Sequence, residues 1–249
     1  MPNIFKSIFT RYKERPPRYR LYDTWEPDFL SELNVAVSSF HADDAFHRVF
    51  GNGDRIPENE IRWHFIGFIL RDRSNPIRHV VTLRRNRELK AIVTGTVICG
   101  ESNFDQLTEA LDDGRVPTKP VRSMCEMYSE QRHSDFATVY DAVENKKLEQ
   151  RIQKYFKLIG KDMEVYKSMP IRFSIGMIAV GPDEQGQGHV RAMVDRLIEK
   201  YKDATLVENI DVSTYDKSKV DLYTHLGFEV TDVIHFESET AWRLTLPLR

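Results

Sequence analysis

The stretch from Phe173 to Tyr201 narrows what this 249-residue chain can fold into more than any other part of it. Phe173 to Val180 is an almost continuous apolar run of strand length, which predicts a strand covered on both faces. Gly181-Pro182-Asp183 breaks that run, and the polar, glycine-containing loop Glu184-Gln185-Gly186-Gln187-Gly188-His189 follows. Val190, Met193, Val194, Leu197, Ile198 and Tyr201 then recur at helical spacing and share one face. The unit is strand, glycine loop, helix start.

Such a unit suits anion capture. The first turn of a helix leaves backbone N–H groups unpaired, and the macrodipole adds partial positive charge there. Gly186 and Gly188 remove side chains that would keep a phosphate away from those donors. Two glycines alone also fit a plain surface turn. The buried strand before them and the amphipathic helix after them point instead to a ligand, with a pyrophosphate as the natural guest.

Gln185-Gly186-Gln187-Gly188-His189-Val190 resembles the Q/R-x-x-G-x-G/A signature of the GNAT superfamily of acyl-CoA-dependent N-acetyltransferases. Met177-Ile178-Ala179-Val180-Gly181-Pro182 is similar to the lead-in of that signature, and Leu222-Tyr223-Thr224-His225-Leu226-Gly227-Phe228 resembles the family's "LYxKLGF". Val190 departs from the pattern, standing where the signature ends on a small residue. The resemblance implies a mixed α/β (α+β) sheet of the GNAT type, with an N-terminal basic arm at 1–17 and an acetyltransferase domain at 18–249. A loop and helical insertion would occupy 100–170, before the fourth strand.

Size and composition agree with one enlarged domain: 41% hydrophobic and 30% charged residues are ordinary for a globular chain. A net charge of −2 gives no reason to expect nucleic acid or a membrane surface as partner. Two cysteines are too few for a disulfide framework, so a reducing, cytoplasmic setting is expected. No apolar run approaches the roughly 20 residues that span a bilayer. Lys6, Arg11, Lys13, Arg15, Arg18 and Arg20 against the single Glu14 also have the look of a mitochondrial leader, but serine is scarce there.

Along the chain, Arg18–Tyr22 is expected to open the sheet and Glu26-Pro27-Asp28 to start a helix carrying Phe29, Leu33, Val37 and Phe40. Ala42–Phe50 resembles a region of a GNAT branch that carries two helices, which implies helix there, and a helix is expected over Glu58–Leu70. His79–Leu83 and Ala91–Cys99 form an antiparallel hairpin around the polar turn Arg85–Glu88. Leu107 and Leu111 suggest a short helix, and Tyr140–Lys167 a long one holding Leu148, Ile152, Tyr155, Phe156 and Ile159. A strand over Ala204–Ser213 follows, with Asn209 and Asp211 on the face opposite Leu206, Ile210 and Val212. Asp216–Tyr223 is a short helix, and Phe228–Phe236 with Thr240–Leu246 an antiparallel pair.

The activity implied by the resemblance is acetyl transfer from acetyl-CoA, as co-substrate and without a metal, to an amine by direct attack in a ternary complex. A small-molecule amine is the expected acceptor; a protein or peptide terminus, or a non-catalytic acyl-CoA sensor, are the alternatives. Tyr223 occupies the position of the family's catalytic tyrosine, and a phenol suits protonation of a departing thiolate. Asp211 lies where some members carry a catalytic glutamate, with Glu208 and His189 as substitutes. Main-chain groups of Met177, Ile178, Ala179 and Val180 would hold the pantetheine arm and oxyanion, and those of Gln185, Gly186, Gln187, Gly188, His189 and Val190 the pyrophosphate. Scattered histidines give no metal-ligand spacing, and neither G-x-S-x-G nor G-x-x-x-x-G-K-[ST] occurs.

Overall fold

Asp28 opens the first helix by accepting a hydrogen bond from the Ser31 N–H at 2.8 Å. That helix, α1 (Phe29–His41), buries Phe29, Leu33 and Val37 on one side. Asp43 repeats the device for α2 (Asp44–Gly51), where its Oδ1 accepts from the N–H groups of Ala45 and Phe46 at 3.0 and 3.2 Å. α3 spans Glu58–Arg73. The computed structural model describes residues 19–249 apart from 25–26, 52–53, 74, 76, 117–149, 153, 155–168, 203–205 and 237–238. The expected N-terminal arm and most of the long helix over 140–167 lie outside the described residues.

The opening strand is β1 (Tyr19–Thr24), and the hairpin is β2 (Arg78–Arg85) with β3 (Glu88–Ile98). Its turn is the two residues Asn86 and Arg87, both at positive φ, the geometry that matches the twist of paired strands. After β3 come a 3-10 turn at Glu101–Asn103 and the short helix α4 (Phe104–Asp112), which buries Leu107 and Ala110. Then follow β4 (Arg172–Val180), α5 (His189–Tyr201), β5 (Asn209–Thr214), α6 (Lys217–His225), β6 (Glu229–Phe236) and β7 (Glu239–Pro247). The strand expected from Ala204 begins only at Asn209. Leu206 and Val207 are buried by packing in the approach loop, while the β4 ladder takes up the chain at Asn209.

The seven strands form one sheet in the order β1-β2-β3-β4-β5-β7-β6. Every neighbouring pair is antiparallel except β4 with β5. α5 and α6 pack on one face: Met193, Val194, Leu197, Val220 and Tyr223 meet Val81, Val93, Phe173 and Ile210. α1, α2 and α3 pack on the other, where Leu33, Phe46 and Ile61 meet Val80, Ile92, Met177 and Ala179.

The apolar run of β4 is not a regular strand. Gly95 pairs with Ile175 and Thr94 with Met177, so Gly176 bulges out of the ladder. The bulge shifts the alternation: Phe173 and Ile175 serve the α5 core, and Met177 and Ala179 the α1–α3 core. Gly95 is fixed by close approach here, because a Cβ would meet the Ser174 carbonyl at 2.4 Å and the Phe173 ring at 2.5 Å.

Charged groups inside this apolar frame escape sequence patterning. Glu32 of α1 is fully buried and bridges Arg73 (2.8 Å) and Arg78, and Arg78 also pairs with Asp72. The cluster ties α1 to the end of α3 and the start of β2. Removing the acid would take a shared carboxylate from two buried guanidinium groups, so Glu32→Ala should destabilise the fold by about 3–5 kcal/mol, read by urea unfolding.

His79 on β2 is 2% exposed and accepts from Lys200 Nζ of α5 at 2.7 Å. Burial, then the Lys200 charge, pushes its pKa down to about 3. The folded chain thus keeps His79 neutral where the unfolded chain protonates it below about pH 6.5. Its contribution is complete above that pH and is lost as the pH falls toward 3. Between pH 6 and 4 the wild type should lose stability more steeply than His79→Gln, by up to about 1.4 kcal/mol per pH unit.

Candidate active site

β4 and β5 pair at only three positions, Arg172 with Asn209, Phe173 with Ile210 and Ser174 with Asp211. Beyond Ser174 they part, and a cleft of about 1680 Å³ opens between them. The bulge at Gly176 falls at that point, and its backbone is exposed. Of the strand residues expected to serve the cofactor, Met177, Ile178 and Val180 line the cleft. Ala179 does not line it, and its side chain is fully buried in the α1–α3 core.

The whole loop Gln185–Val190 lines the same cleft. Pro182–Glu184 forms a 3-10 turn, and Gly186 and Gly188 follow at φ +71° and +80°. α5 then begins at His189 with no side-chain cap at its N-terminus, so its first-turn N–H groups carry the exposed end of the dipole. A Cβ on Gly186 would meet nothing within 4 Å; glycine is needed there for its backbone angle rather than for space.

The loop is not polar throughout, as its sequence suggests. Glu184 is 4% exposed and His189 is 2% exposed. Glu184 Oε2 accepts from the Tyr19 hydroxyl at 2.8 Å and lies 3.4 Å from His189 Nε2, and its Oε1 lies 3.2 Å from Arg85. The His189 ring is tilted against Tyr19 at 4.7 Å and beside Glu184, and the residue also lines the cleft. Glu208 is exposed and is not part of the cleft lining.

Tyr223 lines the cleft from α6, with its ring against Phe228 at 5.7 Å. Among the described residues its hydroxyl makes no hydrogen bond. Burial, followed by the nearby Asp216 and Asp43 carboxylates, pushes its pKa up, so the phenol stays protonated at neutral pH. Asp216 itself caps α6 by accepting from the Ser218 N–H at 2.9 Å. Asp43 holds Lys219 across the cleft mouth.

Asp211, also in the lining, stands at the last β4–β5 pair. Its Oδ2 pairs with Arg172 at 2.6 Å and its Oδ1 accepts from Thr245 at 3.0 Å. Burial raises its pKa, against the opposing pull of Arg172, Thr245 and Arg243. The carboxylate is thus tied to β4, β5 and β7 at once. Arg172 sits at the first position of β4, just before the apolar run, and its pairing with a strand acid across a parallel ladder left no local signal in the sequence.

A mixed sheet that parts between two parallel strands, beside a glycine loop at a helix N-terminus, defines the α/β fold of acyl-CoA N-acyltransferases. Residues 159–228 match the model of the Acetyltransferase (GNAT) family. That segment is similar to the GNAT family, and the fold as a whole is the one shared by solved N-acetyltransferase structures. Arylalkylamine N-acetyltransferase 7 (putative) from the yellow fever mosquito is 12% identical, with 93% of this chain and 88% of that one covered and a TM-score of 0.53. Arylalkylamine N-acetyltransferase 2 from Aedes aegypti is 10% identical over 92% of this chain and 100% of that one, with a TM-score of 0.51. No curated protein matches the sequence.

The backbone angle at Gly186 is testable without any ligand. Gly186→Ala should lower unfolding free energy by about 1–2 kcal/mol, the left-handed penalty of an L-residue. Gly186→Asn should recover much of that loss, since Asn tolerates the left-handed region.

Proposed function

We propose that this chain transfers the acetyl group of acetyl-CoA to the amine of a small molecule, by direct attack within a ternary complex. The observation that carries this reading is the parting of β4 and β5 beside the glycine loop, with Tyr223 in the same cleft and its hydroxyl making no hydrogen bond among the described residues. The loop N–H groups from Gly186 to Val190 hold the pyrophosphate, and the pantetheine arm lies along Met177–Val180 in place of the missing β5 ladder. The amine nitrogen attacks the thioester carbonyl, the new C–N bond forms, and the C–S bond breaks. Tyr223 gives its proton to the departing sulfur; burial keeps the phenol protonated until then.

Asp211 is the expected acceptor of the amine proton. Its ties to Arg172 and Thr245 give it a second task, holding the strands at their point of divergence. We assign it that bracing role first, with the amine proton passing to water. The wall facing β4 supports a small, partly apolar acceptor: Phe40, Phe68 and Tyr215 are half-buried there, and Phe68 reaches within 3.5 Å of a Cβ position on Gly176.

Acetyl-CoA should raise the unfolding midpoint, since a ligand bound only by the folded state adds about 2.7 kcal/mol at a hundred times its Kd. In Tyr223→Phe that shift should persist while thiol release with an amine panel falls about a hundredfold or more. A shift with no turnover in either protein would make the chain an acyl-CoA sensor. No shift at millimolar acetyl-CoA would remove the cofactor site itself.

A further inference from the structure

We propose that Glu184 is the positioning residue of the pyrophosphate loop, a buried carboxylate that holds the loop in its binding shape before the ligand arrives. The inference rests on the acetyl-CoA reading above and adds to it the means by which the site is kept ready.

The loop needs such a hold. Gly186 and Gly188 both sit at positive φ, and two glycines within three residues give the free loop many competing conformations. Main-chain donors that must converge on a phosphate lose affinity for every conformation they have to abandon on binding. No side chain caps the N-terminus of α5, so the helix does not fix the loop by that route.

Glu184 supplies the missing anchor through both oxygens. Oε2 accepts from the Tyr19 hydroxyl at 2.8 Å and lies 3.4 Å from both His189 Nε2 and Gln187 Nε2. Oε1 lies 3.2 Å from Arg85 Nη2. Gln187 and His189 flank Gly188, so gripping both side chains fixes the peptide groups on either side of it. Tyr19 and Arg85 lie on β1 and β2, so the loop is bound to the rigid sheet and not only to itself. Arg85 also lies over the Tyr19 ring at 5.6 Å, and Tyr19 packs on His189.

The electrostatics agree. Burial alone would favour a neutral Glu184, but hydrogen bonds from Tyr19 and His189 and the charges of Arg85 and His189 outweigh it and hold the carboxyl below its usual range. The anion is therefore present at neutral pH, screened from the pyrophosphate by the partners that surround it. A solvated loop acid would face the same phosphate and repel it.

The test compares wild type, Glu184→Gln and Tyr19→Phe by calorimetric titration with acetyl-CoA and with ADP, which carries the pyrophosphate alone. The unfolding midpoint of each ligand-free protein is measured alongside. Glutamine keeps the shape but cannot accept from all its neighbours, so Kd for both ligands should rise about tenfold or more. Tyr19→Phe removes one donor and keeps the ring on His189; its Kd should rise about threefold. A lowered midpoint with unchanged Kd in both variants would make the cluster merely structural and overturn the proposal. If Glu184→Gln does not fold, Tyr19→Phe decides by the same criterion. Wild type that binds neither ligand would instead overturn the acetyl-CoA reading, and this inference with it.

Discussion

The short ladder between β4 and β5 governs everything else in this molecule. Three paired positions are enough to join the two halves of the sheet, and too few to close it. Had the ladder continued past Ser174, the backbone groups of Ile175–Val180 would be spent on β5 and no cleft would exist. Because it stops, main-chain donors and acceptors are left at a place walled by packed side chains. Such groups demand partners. A ligand arm that runs like a strand is the natural one.

An open seam in a sheet is a weakness, and the surrounding residues are arranged to contain it. The Gly176 bulge turns β4 at the place where the partner strand leaves, and Gly95 lets β3 stay against it despite the turn. Arg172 and Asp211 clamp the strands just before they part, with Thr245 extending the clamp to β7. Buried ion pairs of this kind cost desolvation and gain little net stability over an apolar pair. Their value lies in fixing one register. A slip by one residue would leave charges unpaired in the core, which the fold cannot tolerate. Glu32 with Arg73 and Arg78 has the same character on the α1–α3 side.

How much of this was legible in the sequence follows the range of the interactions. β4, the glycine loop and α5 are encoded locally, by an apolar run, a breaker and a helical stripe, and they stand within a residue or so of where the sequence places them. Helix starts at Asp28 and Asp216 were readable for the same reason, because a cap acts across two or three residues. The bulge was not readable, since an apolar run looks the same whether or not one glycine leaves the ladder. The start of β5 was set too early because Leu206 and Val207 are apolar for packing reasons and not for pairing. Glu184, His189 and Asp211 were read as surface or catalytic residues. Their partners, Tyr19, Arg85, Arg172 and Thr245, lie on other strands, and no local pattern announces a contact between distant strands.

The same contrast separates the parts of the site by how they do their work. In the proposed reaction Tyr223 is useful for having little attached to it: among the described residues its hydroxyl makes no hydrogen bond, so it can turn to the atom that needs its proton. Glu184 and Asp211 are useful for the opposite reason, each filled with partners and thereby fixed. Arg172 on one oxygen and Thr245 on the other hold the Asp211 carboxylate in one place. On the proposed reading, a site built in this way puts its charge into holding the frame and leaves the proton it donates on a neutral group. In the proposed reaction the departing thiolate needs a donor that still holds its proton. Burial beside Asp216 and Asp43 keeps Tyr223 in that form.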